Sequence, residues 1–427
     1  MITMFAHADG TAEQLVLKTI RDNQKTSDTE AARQAAEILE KVRSGGYEAV
    51  CACSLELDKA EPRELDPQEL EDAVDRLEPA VLRALEHAAK NLYDYHTRML
   101  QKTQLCESPI VGGNVGELVR GLGTVAVYVP GGDVGGASSV LMNAVPARVA
   151  GVEEIVLVTP PCEALSDVLL AAAWVAGVDR VFTLGGAQAV AALAYGAGPI
   201  PKADKLVGEG EAVVQAAKRL VADEMDVDWL RRAPDLCVIA DEAADPVWAA
   251  ADLLSQAEHS ETSSAVLLTA SETLAEQVME ELERQSGALR RKSVMQKALK
   301  DCGAVIVCED VHACVELANS IAPSQLELMT AAPLALLDDV KNAGCIYLGA
   351  HSPQALGEYA AGICHSLPAA GAAAWQSPLS VNDFVKKTSV VKFNDEALEK
   401  LSGDIMMMAR AEALTAHANA LKVRFSK

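Results

Sequence analysis

The chain has 427 residues, of which half are apolar and only 4% are aromatic, so it is long enough for two or three packing units with large buried cores. Its 37 lysines and arginines stand against 61 acidic residues, and the net charge of −24 would repel nucleic acid and anionic membrane surfaces. Because it lacks a stretch of roughly 18 apolar residues and a signal-peptide pattern, we expect a cytoplasmic globular protein with no nucleic-acid or membrane partner.

The predicted elements change in character along the chain. Up to about residue 105 the sequence is charged, and residues 29–43, 67–77 and 80–100 carry apolar positions at helical spacing. From residue 121, short β-rich runs alternate with alanine-rich helical stretches, which is typical of βαβ units with parallel strands. The predicted strands are residues 125–129, 155–158, 180–184 and 205–207 in a first set, and residues 236–240, 265–268, 304–307 and 346–348 in a second set.

The two sets of strands predict two domains. A charged interruption at residues 223–232 separates them. We therefore predict an α/β protein with two doubly wound, incomplete Rossmann-like, parallel-sheet units. The expected boundaries are a helical amino-terminal region packing on the second unit (1–120), a first α/β unit (121–235), a second α/β unit (236–370) and a tail (371–427). Within the tail, residues 398–423 have a helical pattern.

Glycine-rich turns follow two of the predicted strands. Residues 128–132 contain two glycines after a tyrosine, and residues 185–189 are expected to open a helix, a setting suited to phosphate or amide recognition. Such turns are also common as purely structural features. Neither they nor residues 208–211 form a dinucleotide fingerprint with three correctly spaced glycines.

A more specific pattern is formed by Gln256 and His259, on a helix expected to begin near Asp245. Side chains three residues apart share a helix face, so both can reach one metal ion. For this pair alone, a hydrogen-bonded surface turn is the alternative interpretation. Two further sites favour a metal, namely Glu358 with His365 and Glu412 with His417, because together they offer the nitrogen and oxygen ligands that suit zinc.

The sequence resembles the histidinol dehydrogenase family from about residue 50 to the carboxyl terminus. The segments that carry the resemblance are 128–132, 138–144, 185–189, 252–259, 378–381 and 415–417. The resemblance implies a zinc-dependent homodimer that oxidises L-histidinol to L-histidine through an aldehyde and reduces two NAD. It also implies that the first unit is the NAD side, that the second holds metal and substrate, and that the tail serves dimerisation.

The resemblance also implies roles for individual residues. Gln256, His259 and His417 match the zinc ligands, and Glu358 stands where the family has an aspartate ligand, so one zinc per chain is expected. The remaining implied contacts are Tyr128, Gln188 and Glu211 for NAD, and Pro234, His365 and Glu412 for the substrate.

Three segments depart from the family pattern. Ser324 and Gln325 replace the Glu-His pair that supplies the general base, and neither side chain titrates near neutral pH. Glu209 and Glu211 replace a proline and an asparagine, which places two carboxylates beside the expected pyrophosphate. Residues 231–235 replace a Gly-Pro-Ser-Glu segment, and Arg231 with its neighbour could receive an anionic substrate group or pair with local aspartates.

These departures leave three interpretations of function. We favour a zinc- and NAD-dependent alcohol dehydrogenase that acts on another primary or amino alcohol. The alternatives are a catalytically inactive homologue that acts as a ligand-binding or regulatory dimer, and a histidinol dehydrogenase of histidine biosynthesis. If the protein is an enzyme, Glu258 and His365 are candidates to replace the missing base.

Overall fold

The computed structural model describes residues 2–7, 10–24, 29–107, 112–131, 136–162, 165–228 and 235–425. In chain order its strands are β1 (Thr3–Ala6), β2 (Arg63–Glu64), β3 (Gln104–Glu107), β4 (Gly113–Gly121), β5 (Thr124–Tyr128), β6 (Glu154–Thr159), β7 (Arg180–Thr183), β8 (Lys205–Gly208), β9 (Asp226–Val227), β10 (Asp235–Ala240), β11 (Ser264–Thr269), β12 (Gly303–Val307), β13 (Gln325–Met329), β14 (Cys345–Leu348) and β15 (Val385–Phe393).

The helices connect these strands and cover their faces. They are α1 (Thr11–Gln24), α2 (Thr29–Leu57), α3 (Pro67–Arg76), α4 (Pro79–Met99), α5 (Gly136–Val149), α6 (Asp167–Ala176), α7 (Gly186–Tyr195), α8 (Ala212–Leu220), α9 (Pro246–Ala257), α10 (Glu272–Ser286), α11 (Lys292–Cys302), α12 (Val311–Ile321), α13 (Pro333–Leu336), α14 (Gln354–Tyr359), α15 (Asp395–Ala411) and α16 (Thr415–Lys422). Within the described residues no helix is long and apolar enough to cross a membrane.

Two six-stranded sheets confirm the predicted pair of doubly wound units. The first sheet has the order β2-β7-β6-β5-β8-β9 and the second has the order β1-β12-β11-β10-β13-β14. Neighbouring strands are parallel except for the antiparallel pair β2 and β7. In the first sheet the strand order reverses between β5 and β8, which opens a crevice at their carboxyl ends where ligands bind in such folds.

Each face of both large sheets is covered by its own apolar core. In the first sheet, Val125 and Val127 pack with α4 and α5, whereas the alternate residues Ala126 and Tyr128 pack with α2 and α7. This alternation follows from the opposite directions of successive side chains in a strand. Helices on both faces explain why these strands read as nearly continuous apolar runs.

The amino-terminal helices differ from the expectation that they pack on the second unit. Helix α2 contacts α7 and α8, helix α3 contacts α6, and helix α4 contacts α5 and α6. These three helices therefore lie on the first unit. Helix α1 lies on the second unit, at β1, β12, α11 and α12. Helix α4 also reaches residues 360 and 364 of that unit through Asn91 and His96. The reason is the small side chains of α7, such as Ala187 and Ala191, which let α2 bury Leu39 closely against them.

A third sheet, not predicted from the sequence, joins distant segments. It has the order β15-β4-β3 and is antiparallel throughout. The tail also differs from the single helical stretch expected over residues 398–423. It contains two helices, α15 and α16, which are separated at Ala413, a residue with a φ of 60° that an α-helix cannot accommodate.

Candidate active site

A cleft of about 400 Å³ lies between the two α/β units. The first unit contributes the carboxyl-terminal crevice between β5 and β8, and the second contributes the beginning of β13 and the end of α9. Its walls contain Pro130, Ser138, Ser139, Glu209, Glu258, His259, Arg291, Ser324, Gln325, Glu358, Tyr359, His365, Leu367 and Ala369. The cleft therefore joins a strand-order reversal in one sheet to the amino-terminal edge of the other.

Gln256 and His259 stand at the end of α9. Asp245 caps the amino terminus of this helix by accepting a hydrogen bond from the Val247 backbone. Gln256 lies in the last turn and is fully buried, and His259 lies in the turn that follows. Because the His259 Nδ1 lies 3.0 Å from the Ser255 carbonyl oxygen, which can only accept, Nδ1 carries the proton and Nε2 keeps its lone pair for a metal.

The oxygens of Gln256 and Glu358 lie around the same two amide groups. The Gln354 Nε2 donates to the Gln256 Oε1 at 3.0 Å and to the Glu358 Oε1 at 3.2 Å. The Gln325 Nε2 donates to the same two oxygens at 3.5 and 3.3 Å, respectively. Three of the four predicted metal ligands therefore lie near one another, because Gln256 and Glu358 share these donors and His259 lines the same cleft as Glu358. Their role as ligands stays a prediction.

The surroundings of Glu358 favour the charged form of its carboxylate. Burial alone would raise its pKa, but the hydrogen bond and charge of His365 outweigh that effect. Smaller contributions from His259 and Gln325 act in the same direction, so the pKa of Glu358 lies below its ordinary value. Glu358 is consequently ionised at neutral pH.

His365 connects the two units across the cleft. Burial lowers its pKa, but the hydrogen bond and charge of Glu358 raise it more, and the net shift is upward. The His365 Nδ1 lies 3.1 Å from the Glu358 Oε2, and Nε2 lies 3.5 Å from the Ser139 Oγ of α5. The predicted substrate residue is therefore placed in the cleft with both ring nitrogens engaged.

Ser324 and Gln325 also line the cleft, as expected for the positions of the altered base pair. The Ser324 Oγ donates to the Asp235 carbonyl oxygen at 2.6 Å, and the Gln325 Oε1 accepts from the Tyr347 hydroxyl at 2.8 Å. Burial raises the pKa of Asp235 to about 6. Ser324 and Gln325 are thus held in hydrogen bonds, and neither can take a proton near neutral pH.

Three predicted residues are not placed in the cleft. Glu412 follows α15 and His417 lies on α16, and both are exposed to solvent in this chain. Pro234, together with Arg231 and Arg232, lies outside the described residues.

The predicted cofactor residues share a second cleft of about 650 Å³ that adjoins the first at Pro130. The Tyr128 hydroxyl accepts a hydrogen bond from the Gly186 backbone at 3.0 Å, and burial raises its pKa to about 12. The fully buried Gln188 donates from Nε2 to the Asp58 carboxylate at 2.9 Å. Its Oε1 is a buried acceptor without a partner among the described residues, which is suited to a ligand N–H or O–H group.

Residues that hold the predicted metal ligands in place were not apparent from the sequence. Gln354 is almost fully buried, and its backbone N–H donates to the Glu327 Oε1 at 2.6 Å. Burial and the neighbouring charge of Asp252 raise the pKa of Glu327 to about 9, and burial raises that of Asp252 to about 6. At neutral pH the two carboxyl groups therefore share a proton. Only the three-dimensional contact between α9 and β13 reveals this pair.

Replacing Glu327 with glutamine is expected to flatten the dependence of stability on pH. A raised folded-state pKa means that wild type loses stability as pH rises from the unfolded pKa near 4.5 to about 9. Between pH 5 and pH 9, the difference in the free energy of unfolding between Glu327→Gln and wild type should therefore shift in favour of the variant by on the order of 3 kcal/mol. Urea unfolding at pH 5, 7 and 9, with the exposed Glu276→Gln as control, measures this; parallel curves for wild type and Glu327→Gln would contradict it.

Comparison with known proteins shows to which family the chain belongs. The family model described as histidinol dehydrogenase matches residues 21–425. The chain belongs to the histidinol dehydrogenase family. The histidinol dehydrogenase of Heliobacterium mobile is 44% identical over 94% of this chain and 95% of its own, and that of Aquifex aeolicus is 44% identical over 93% of both chains. The crystal structure of histidinol dehydrogenase from Elizabethkingia anophelis covers 92% of this chain and 91% of its own, with 31% identity and a TM-score of 0.89.

This membership corrects the function favoured from the sequence. The chain is an oxidoreductase of the histidinol dehydrogenase family, and its identity of 40 to 44% to several members over nearly the whole length overturns the alcohol dehydrogenase with a different substrate. It also removes the support for an inactive regulatory dimer. The segments that depart from the family pattern, including 324–325 and 208–211, are short, whereas the match to the family covers residues 21–425.

Proposed function

We propose that this protein is the histidinol dehydrogenase of a histidine biosynthetic pathway, oxidising L-histidinol to L-histidine through the aldehyde with reduction of two NAD. The observation that carries the proposal is the cleft lined by His259, Glu358 and His365, which adjoins the cleft of Tyr128 and Gln188. Gln256 lies behind it and shares the Gln354 amide donor with Glu358. The names and the near-complete coverage of the curated relatives support the same activity. A biosynthetic role is consistent with the cytoplasmic location expected from the sequence.

The side chains present fit one zinc ion per chain. The Oε1 atoms of Gln256 and Glu358 lie close to each other, because both accept a hydrogen bond from the Gln354 amide. The Nε2 of His259 keeps its lone pair. An amide oxygen, a carboxylate and an imidazole form a donor set that suits zinc. Bound zinc would acidify a substrate hydroxyl or a water molecule and so assist its deprotonation.

The cleft of Tyr128 and Gln188 is the proposed NAD site. Gln188 offers its unpartnered Oε1, while Asp58 holds the other end of its amide in place. Glu211 lines the same cleft and would stand beside the bound dinucleotide. Because a carboxylate next to a pyrophosphate is repulsive, we expect NAD affinity to rise with ionic strength over the range in which this repulsion is screened.

The chain's own residues around Glu358 orient the proposed zinc ligands and hold the walls of the cleft. His365 fixes the Glu358 carboxylate from one side, and the Gln354 amide fixes it from the other. Through Ser139, His365 also keeps the two walls of the cleft in contact. Ser324 and Gln325 shape the floor of the cleft but transfer no proton.

We propose a homodimer in which His417 and Glu412 complete the site of the other subunit. Both residues are exposed in a single chain and lie outside the cleft. The same tail carries exposed apolar residues, including Met407 and Met408, and a partner would cover these side chains. His417 of the partner subunit would then be the fourth zinc ligand.

The activity is tested with metal-replete protein by following NADH formation from L-histidinol. We expect two NADH per L-histidinol, L-histidine as the product, and little turnover of L-alaninol, which has the amino alcohol but no imidazole ring. Elemental analysis of the same sample should give one zinc per chain. Zinc-containing protein that binds NAD but forms no NADH from L-histidinol would refute the proposed function.

A further inference from the structure

Glu209 is a carboxylate at the mouth of the strand-order reversal, on the wall of the cleft that faces the metal ligands. It follows the last residue of β8 and lines the cleft opposite Glu358 and His365. It thus comes from the NAD-side unit, whereas the predicted metal ligands come from the other. Glu211, two residues further along, lines the second cleft, so Glu209 stands near the place where the two clefts adjoin.

The backbone that carries Glu209 is held firmly. Gly208 has a φ of 106°, and a Cβ at this position would lie 2.0 Å from the Tyr128 carbonyl oxygen, so only glycine fits. The Gly208 N–H donates to the Asp228 Oδ2 at 2.8 Å, and its carbonyl oxygen accepts from the Lys218 Nζ at 2.8 Å. Lys218 and Asp228 form a buried ion pair with each other. This Lys218–Asp228 clamp fixes the position of the backbone next to Glu209.

The Glu209 carboxylate is uncommitted. Among the described residues it has no hydrogen-bond or ion-pair partner, and solvent reaches it through the cleft. Desolvation by the surrounding protein raises its pKa, and the charges of Asp228 and Glu358 add to the rise. His365 and Lys218 act in the opposite direction but do not cancel it. A carboxylate with a raised pKa is a stronger base than an ordinary surface glutamate.

Other groups in the cleft are less suited to accept a proton. Both nitrogens of His365 are engaged, and Glu358 is held by His365 and two amides. The remaining titratable side chains on its walls are Glu258, His259, Arg291 and Tyr359. Of these, only Glu258 is a carboxylate, and it stands at the end of α9 on the metal-ligand side.

We propose that Glu209 is the general base of this enzyme, an inference that rests on the proposed oxidation of L-histidinol. In the first step the O–H bond of the substrate breaks and its proton passes to a Glu209 carboxylate oxygen. The C–H bond breaks with transfer of a hydride, two electrons and one proton, to NAD, and the C=O bond of the aldehyde forms. Glu209 then releases this proton to solvent through the cleft. In the second oxidation Glu209 takes a proton from the water that adds to the aldehyde, and the resulting hydrate anion gives its hydride to a second NAD and becomes the carboxylic acid.

The test compares Glu209→Gln and Glu209→Asp with wild type, with Glu258→Gln as the competing assignment and the exposed Glu242→Gln as control. We expect Glu209→Gln to lower kcat by about 10²–10⁴-fold. Its zinc content and its affinity for L-histidinol, measured by calorimetry, should stay within a few-fold of wild type. In wild type, kcat/KM should rise with pH until Glu209 is ionised, and this rise is the acidic limb of the pH profile. Glu209→Gln should lose the acidic limb. Glu209→Asp should keep it, with a lower rate.

The outcomes are separable. If wild type oxidises L-histidinol and Glu209→Gln retains its rate and its acidic limb, the role of Glu209 is overturned while the proposed function stands. The same conclusion follows if Glu258→Gln alone removes the acidic limb. If zinc-containing wild type does not oxidise L-histidinol, the proposed function fails, and the assignment of Glu209 fails with it.

Discussion

Replacement of His259 with alanine is expected to remove zinc from the protein and to lower kcat by about 10³-fold or more, because several kcal/mol of charge stabilisation are lost. His259 is one of the three proposed zinc ligands that lie near one another in this chain, and its Nε2 has no competing role among the described contacts. Elemental analysis and NADH formation measure the two effects. The exposed His87→Ala should change neither, since His87 lies on α4 outside both clefts.

The same variant tests the proposed exchange of ligands between subunits. His417→Ala should lose zinc as His259→Ala does, although His417 lies outside its own chain's cleft. Mixed dimers of the two variants would contain one intact site, so random mixing should restore about a quarter of the wild-type activity in a two-fold dimer. Absence of any recovery, with mixed dimers shown to form, would mean that His417 does not act across the interface.

Replacement of Lys218 with methionine is expected to destabilise the fold by about 3–5 kcal/mol, because it leaves a buried aspartate without its countercharge. Lys218 and Asp228 are almost completely buried, and Lys218 also donates to the Gly208 carbonyl oxygen. Methionine matches the length of the lysine stem but supplies no donor. Urea unfolding measures the loss in the free energy of unfolding.

Two comparisons sharpen this prediction. Lys202→Met breaks a solvent-exposed ion pair with Glu224 and should cost about 1 kcal/mol or less. Adding Asp228→Asn to Lys218→Met removes the uncompensated charge while keeping an acceptor for the Gly208 N–H, so it should recover part of the loss. A Lys218→Met variant as stable as Lys202→Met would show that the clamp contributes little.

The sequence predicted the parallel strands well because buried strands of α/β units are short apolar runs between helices. It missed β13, which begins at Gln325 and contains Glu327, because polar residues at the cleft interrupt its apolar pattern. It also missed β1, since pairing with β12 joins residues about three hundred positions apart and leaves no local signal.

Site residues could be predicted where their positions in the sequence alone suggest a shared role. Gln256 and His259 could be paired from helical spacing, and Glu358 and His365 from the resemblance. Asp58, Gln354 and Lys218 could not be found, because their roles come from contacts with distant segments. Their side chains are ordinary in sequence and acquire a role only through burial and hydrogen bonding.

The pairing of β1 with β12 has a practical consequence for handling the protein. Residues Thr3 to Ala6 form the edge strand of the second sheet, in register with residues 304–307. Trimming these few residues would expose the edge of β12 that faces away from β11, and β12 is an apolar, mostly buried strand whereas β1 is mostly exposed. Such an apolar edge is available to a strand of another molecule. A cleavage site placed within residues 3–6 would therefore favour self-association.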